Sequence, residues 1–159
     1  GLRHQVPGTI LESCPAAHAV MLDLAQRVAA QGGAILAIDY GYEGPATGDT
    51  LQAVQRHHAA APFDNAGEQD LTAHVDFAAL AHAARGGGVR VLGPVGQGAW
   101  LRALGLDVRA ASLAAAAPDQ ADTLRGQAAR LADADQMGEL FKVIAAYAPG
   151  WPVPEGFPA

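Results

Sequence analysis

The chain has 159 residues, half of them hydrophobic and only 16% charged, which is enough for one domain with a real core and too few for two. Its 10 basic and 16 acidic residues give a net charge of -6, and the basic ones are scattered singly, so no patch exists to release counterions from a nucleic-acid backbone. The single cysteine, Cys14, excludes an internal disulfide and fits a reducing compartment, and no apolar run is long enough to span a membrane.

The amino terminus lacks a charged-then-apolar secretory pattern and begins with Gly, inside what reads as a loop. Residues 1–159 are therefore expected to form one domain or a domain fragment of a longer protein. Glu12-Ser13-Cys14-Pro15 opens a helix, with Ser near the cap, Pro in the first turn and Ala16, Ala19, Val20, Leu22 and Leu24 at helical spacing. The helix runs to about Gln31 and stops at Gly32-Gly33. The continuous apolar run Ala34 to Ile38 then predicts a central parallel strand buried on both faces. It ends in Asp39-Tyr40-Gly41, at the carboxyl end of the strand, where open α/β sheets bind their ligands.

A Gly/Pro/Thr loop follows from Tyr42 to Asp49, and Pro62, Asn65 and Gly67 break the region from Ala59 to Gly67. Asp70, Thr72, His74 and Asp76 alternate with Leu71, Ala73, Val75 and Phe77, which predicts one strand with a polar and an apolar face. Two Asp and a His make a costly solvated face unless they act chemically or accept backbone N–H groups. A helix from about Phe77 to Arg85, capped by Asp76, stops at Gly86-Gly87-Gly88. Val89 to Leu92 reads as a short strand, Gln97 to Leu104 as a short helix, Ala114 to Asp135 as a long one, and Phe141 to Tyr147 as the last strand. An extended Pro-rich tail begins at Pro149.

Three chemistries can be weighed on these residues. Gly93-Pro94-Val95-Gly96-Gln97-Gly98 lies between a strand and a helix, the context of a phosphate cradle. Its spacing fits neither the dinucleotide fingerprint nor a P-loop, and a plain strand–turn–helix connection accounts for it better. His57, His74 and Asp76 invite a metal reading, but the separations are irregular and Asp76 is better used as a helix cap. These residues are therefore expected to hold no metal. Neither Ser13 nor Ser112 sits in a nucleophile elbow, and Cys14 has no assured His partner, so hydrolysis is unsupported.

The ordered set of short motifs is more specific than any one of them. Glu12-Ser13-Cys14-Pro15, Gly32-Gly33, Ile38-Asp39-Tyr40-Gly41, Thr50-Leu51, His57, Gly67, Asp70 to Phe77, Gly93-Pro94, Gln97, Leu101, Gly105 and Met137-Gly138-Glu139 with Phe141-Lys142-Val143 follow one another at family spacing. In this the chain resembles the MidA-like methyltransferases, an S-adenosylmethionine-dependent family that includes the mitochondrial complex I assembly methyltransferase. The resemblance runs from about Glu12 to Ala145 and is to the C-terminal half of family members. The cofactor-binding glycine loop, the ribose-binding acid and the Asn-Glu-x-x-Asp-type motif belong to the other half. Gln52 stands where the family usually has Arg.

The resemblance implies an α/β fold, the C-terminal part of a Rossmann-like seven-stranded class I methyltransferase, with a mixed sheet, an antiparallel edge strand and an inserted substrate-side region from Tyr42 to Arg109. It implies S-adenosylmethionine as cofactor, a protein substrate (a respiratory complex subunit, methylated on arginine), and a bacterial cytoplasmic or eukaryotic matrix location. Asp39, His57 and Asp70 are the catalytic candidates on that reading, with Tyr40, Thr72 and His74 on the substrate side. Two other classes stand beside it: a non-catalytic docking module for an assembly partner, and a metal-binding domain built on His57, His74 and Asp76.

Overall fold

In the computed structural model, which describes residues 6–44 and 46–158, the chain folds as a mixed α/β unit. The elements run α1 (Pro15–Gln31), β1 (Ala34–Tyr42), β2 (Gln52–Gln55), β3 (His58–Ala60), β4 (Asp70–Thr72), β5 (Val75–Asp76), α2 (Phe77–Gly86), β6 (Arg90–Gly96), α3 (Gln97–Ala103), α4 (Leu106–Ala116), α5 (Ala121–Ala132) and β7 (Phe141–Tyr147). The expected amino-terminal loop lies partly outside the described residues. Four strands form the main sheet in the order β5-β1-β7-β6, and β3-β2-β4 make a second, three-stranded sheet.

β7 lies between β1 and β6 and is antiparallel to both. β1 and β6 are therefore parallel to each other with the last strand inserted between them, so the sheet is mixed as expected but its antiparallel strand lies inside the order rather than at the edge. Ile144 and Ala146 of β7, with Ile35 and Ala37 of β1, pack against Met21 and Ala25 of α1 and Phe77, Leu80 and Ala84 of α2. This is one helical layer on one sheet face, the two-layer solution for elements that each have one apolar side. Val143 and Ala145 point to the opposite face and are also buried, at 0% and 2% exposure. α3 packs against β6 and β7.

The expectation that β1 is buried on both faces fails. Leu36 and Ile38 stand opposite Ala145 and Val143 in the ladder, and directly opposed residues share a face. Yet Leu36 and Ile38 are 52% and 41% exposed, so the cover over that face ends between β7 and β1. Nor is β1 a central parallel strand here. Its outer edge is paired only at Gly41 and Tyr42, to β5, while its inner edge is paired to β7 from Ala34 to Tyr40. Gly41 permits that junction, because a Cβ there would run into the Val75 carbonyl.

The single strand expected from residue 69 to 77 is also divided. β4 pairs with β2 in the small sheet and β5 with β1 in the main one, and the chain turns at Ala73-His74 between them. Asp76 does cap α2, its carboxylate accepting from the Ala79 N–H at 2.9 Å. Gly93-Pro94 is no turn: the strand runs through it to Gly96, with a cis peptide bond and a bulge between Leu92 and Val95. The long helix expected from Ala114 is two helices, because Pro118 forces Ala117 out of the helical region (φ -133°, ψ 77°). Only part of the expected insertion stands outside the main layers, since α2 and β6 belong to the main core and sheet.

Candidate functional site

At the carboxyl end of β1 the chain forms a cleft of about 600 Å³, lined by Leu11, Glu12, Cys14, His18, Tyr42, Leu51, His74 and Asp76 among others. That volume is of the size that holds a side chain or small ligand. Three segments far apart in sequence meet there: the irregular segment that leads into α1, the loop before β2, and the Ala73-His74 connection between β4 and β5.

Thr50 joins them. Its backbone N–H donates to Glu12 Oε1 at 2.9 Å, and its hydroxyl donates to Glu12 Oε2. The same hydroxyl oxygen accepts the backbone N–H of His74 at 2.9 Å. A second tie, Gly48 N–H to the Ile10 carbonyl at 3.0 Å, holds the two segments of this junction together. One threonine thus connects the entry to α1 with the turn that carries His74. These bonds hold the Glu12 carboxyl below its ordinary range; the Thr50 hydroxyl is the main cause.

His74 lies edge-on to Tyr40, with ring centroids 5.8 Å apart, and Tyr40 is edge-on to Phe141 at 5.5 Å. Both are T-shaped arrangements of the kind aromatic quadrupoles favour. Tyr42, which lines the cleft, has its phenol pushed upward in pKa, by burial first and then by the Asp76 and Glu12 carboxylates. It therefore stays a hydrogen-bond donor through the physiological range.

The structure gathers some of the expected site residues and separates others. Tyr40 and His74 meet. Asp39 alternates with Tyr40 along β1 and so points to the other face; it is exposed, and its carboxylate accepts from the Tyr40 N–H at 2.8 Å. Across the ladder it faces Lys142, whose ammonium pairs instead with Glu43 and Glu139, each at 3.3 Å. Asp70 and Thr72 stand on β4, opposite Val54 and Gln52. Thr72 is nearest the cleft by chain position, but the hydroxyl that orders His74 belongs to Thr50.

His57 sits exposed in the β2–β3 turn at φ 66°, beyond the far end of β2 from Thr50. β2 alone spans roughly 10 Å at about 3.3 Å per residue, so His57 does not join His74. The metal constellation of His57, His74 and Asp76 is thereby broken, and Asp76 is engaged by its helix. No three His, Cys, Asp or Glu side chains converge among the described residues.

Glu12, Thr50 and Tyr42 belong to the site without having been expected there. The signal for the first two was present but unspecific: a carboxylate just ahead of a helix start and a threonine just ahead of a strand, separated by 38 residues. A second groove of about 630 Å³, between α4 and α5, is lined mostly by alanine, and its charged residues Arg102, Asp107, Arg125 and Asp133 all stand in ion pairs.

Residues 1–95 match the family model described as "Putative S-adenosyl-L-methionine-dependent methyltransferase". Among curated proteins, the mitochondrial protein arginine methyltransferase NDUFAF7 of Rattus norvegicus is 41% identical over 138 residues, covering 85% of this chain and 31% of that protein. The homolog from Drosophila melanogaster is 39% identical over 126 residues, covering 78% of this chain and 29% of that protein. The chain thus spans about a third of the length of these relatives, less than the expected half. A crystal structure of an uncharacterized protein from Burkholderia thailandensis superposes with a TM-score of 0.76 at 28% identity, over 92% of this chain and 39% of that one. A second structure from that organism, bound to S-adenosyl-homocysteine, superposes with a TM-score of 0.75 at 28% identity, over 92% of this chain and 38% of its own.

Proposed function

The chain belongs to this S-adenosyl-L-methionine-dependent methyltransferase family, and on that premise we propose that it is the substrate-side part of a protein arginine methyltransferase. The observation that carries the reading is the cleft at the carboxyl end of β1, held by Glu12, Thr50 and His74, at the place where sheets of this class bind their ligands. The acceptor is a protein, a respiratory complex subunit in complex I assembly, and the setting is the matrix in eukaryotes or the cytoplasm in bacteria.

The described residues offer no cradle for the cofactor. The glycine-rich segment from Gly93 to Gly98 is strand, bulge and the start of α3, with no free turn to approach a phosphate or ribose. S-adenosylmethionine, held by the remainder of the fold, supplies the methyl group on its sulfonium. This chain's residues position the acceptor, and positioning is the main contribution an enzyme makes to such a transfer. Glu12 and Asp76 give the cleft a negative potential suited to a guanidinium. Each oxygen of Glu12 accepts one bond from Thr50 and keeps capacity for a second donor. Tyr40 and His74 form an aromatic wall beside it. Asp39, His57, Asp70 and Thr72 brace the surrounding turns and strands in this reading and hold no acceptor.

Incubating the gene's complete product with isotope-labelled S-adenosylmethionine and a protein extract tests it, with mass spectrometry reading labelled arginine. The replacements Tyr40→Ala and His74→Ala are expected to slow labelling on the order of tenfold while leaving cofactor affinity unchanged. Labelling on residues other than arginine, or loss of cofactor affinity in step with rate, would overturn the assignment.

A further inference from the structure

Tyr42 ends β1 and lines the cleft. It stands opposite Asp76 in the parallel ladder to β5, so the two side chains leave the same face of adjacent strands. The next residue, Glu43, is held at 3.3 Å by the ammonium of Lys142, whose side chain is only 11% exposed. Strand pairing and this ion pair fix the backbone that carries Tyr42. Its ring is half-buried, yet its hydroxyl makes no hydrogen bond among the described residues. A buried tyrosine hydroxyl usually has a partner. This one stands in a cleft with the carboxylates of Asp76 and Glu12 for neighbours.

The acceptors in that cleft are few. Asp76 Oδ1 takes the Ala79 N–H, and each Glu12 oxygen takes one bond from Thr50. Asp76 Oδ2 and the remaining lone pair on each Glu12 oxygen are left for a ligand. An alkylguanidinium brings five N–H groups in one plane, an ammonium only three. A phenol oxygen supplies a further acceptor without adding negative charge, and its own proton can go to a carboxylate at the same time.

We propose that the Tyr42 hydroxyl is the specificity-determining group of the cleft, accepting a guanidinium N–H that Glu12 and Asp76 leave unmatched and so selecting arginine over lysine. The proposal rests on the arginine methyltransferase reading and adds to it the residue that reads the planar cation. Burial, then the Asp76 and Glu12 carboxylates, keep the phenol protonated. It therefore does not become a third anion that would attract either cation by charge alone. Because the hydroxyl bonds nothing within the chain, Tyr42→Phe removes it and leaves the packing of the ring in place.

The test titrates the gene's complete product with two cations, ethylguanidinium and ethylammonium, and follows binding by magnetic resonance of carbon-labelled tyrosine. Ethylguanidinium is expected to bind the wild-type protein at least about tenfold more tightly than ethylammonium. It should also shift the Cζ resonance of Tyr42, which a tyrosine with a merely structural role would not show. Tyr42→Phe should weaken ethylguanidinium binding by about tenfold and leave ethylammonium unchanged. Equal affinity of the wild-type and Tyr42→Phe proteins for ethylguanidinium would overturn the proposal. So would equal losses for both cations, or binding of neither by the wild-type protein. Arginine labelling by the complete product is scored separately. Labelled arginine with no effect of Tyr42→Phe on guanidinium binding removes this role and keeps the methyltransferase reading. Selective guanidinium binding that depends on Tyr42, without labelled arginine, keeps the site and removes that reading.

Discussion

β1 and β7 are neighbouring strands of similar composition with opposite fates. From Lys142 to Tyr147 every residue of β7 is buried, whereas β1 alternates between exposed and half-buried. The two are locked in register over seven pairs, so local sequence is not what separates them. β7 has a strand on each side and cover on both faces. β1 has one full neighbour and one covered face. Burial of an apolar strand is decided by what packs around it.

That contrast predicts unequal effects for similar truncations. Phe77, packed in the core under α2 and the sheet, is the largest of the fully buried side chains, and Phe77→Ala should lower unfolding free energy by about 3–5 kcal/mol in urea titration. Ile144→Ala on β7, at 1% exposure, should cost roughly 2–5 kcal/mol. Leu36→Ala on β1 should cost under about 1 kcal/mol in the same chain, as an exposed position does. Equal losses at Leu36 and Ile144 would mean that β1 is covered after all.

Much of the layered core could be read from the sequence, because its signals are local. The Gly32-Gly33 stop of α1, the Asp76 cap of α2 and the strand from Phe141 to Tyr147 all stand where residue pattern put them. The surroundings could not. Nothing local in Asp70 to Asp76 tells that its two ends join different sheets, and alternation alone reads as one strand. Gly93-Pro94 looks like a turn, yet pairing to β7 carries the strand across it. In the site, Tyr40 and His74 were legible as polar or aromatic residues at strand ends. Glu12 and Thr50 meet only through the fold, and single-residue pattern carries no information about that contact.

Smaller effects probe the carboxyl end of β1, where β5 pairs with Gly41 and Tyr42. Asp76→Ala removes the α2 cap and should cost about 1 kcal/mol, measured by thermal unfolding. Asp76→Asn should retain most of it. The smallest effect expected is at Glu12. Its folded-state pKa is lowered below the ordinary 4.5, so its contribution is fully present above about pH 4.5 and is lost as pH falls through the folded value. Glu12→Gln should flatten the acid limb of the stability profile and leave stability near neutral pH only slightly reduced. An unchanged acid limb would show that Thr50 does not hold the carboxylate in solution.

Calorimetric titration of S-adenosylmethionine into the 159-residue chain and into the gene's complete product tests the central claim most directly. The substrate-side assignment predicts binding to the complete product and none to the 159-residue chain. Binding to neither would contradict a methyltransferase role, and full-affinity binding to the 159-residue chain would contradict the assignment of the cofactor to the rest of the fold.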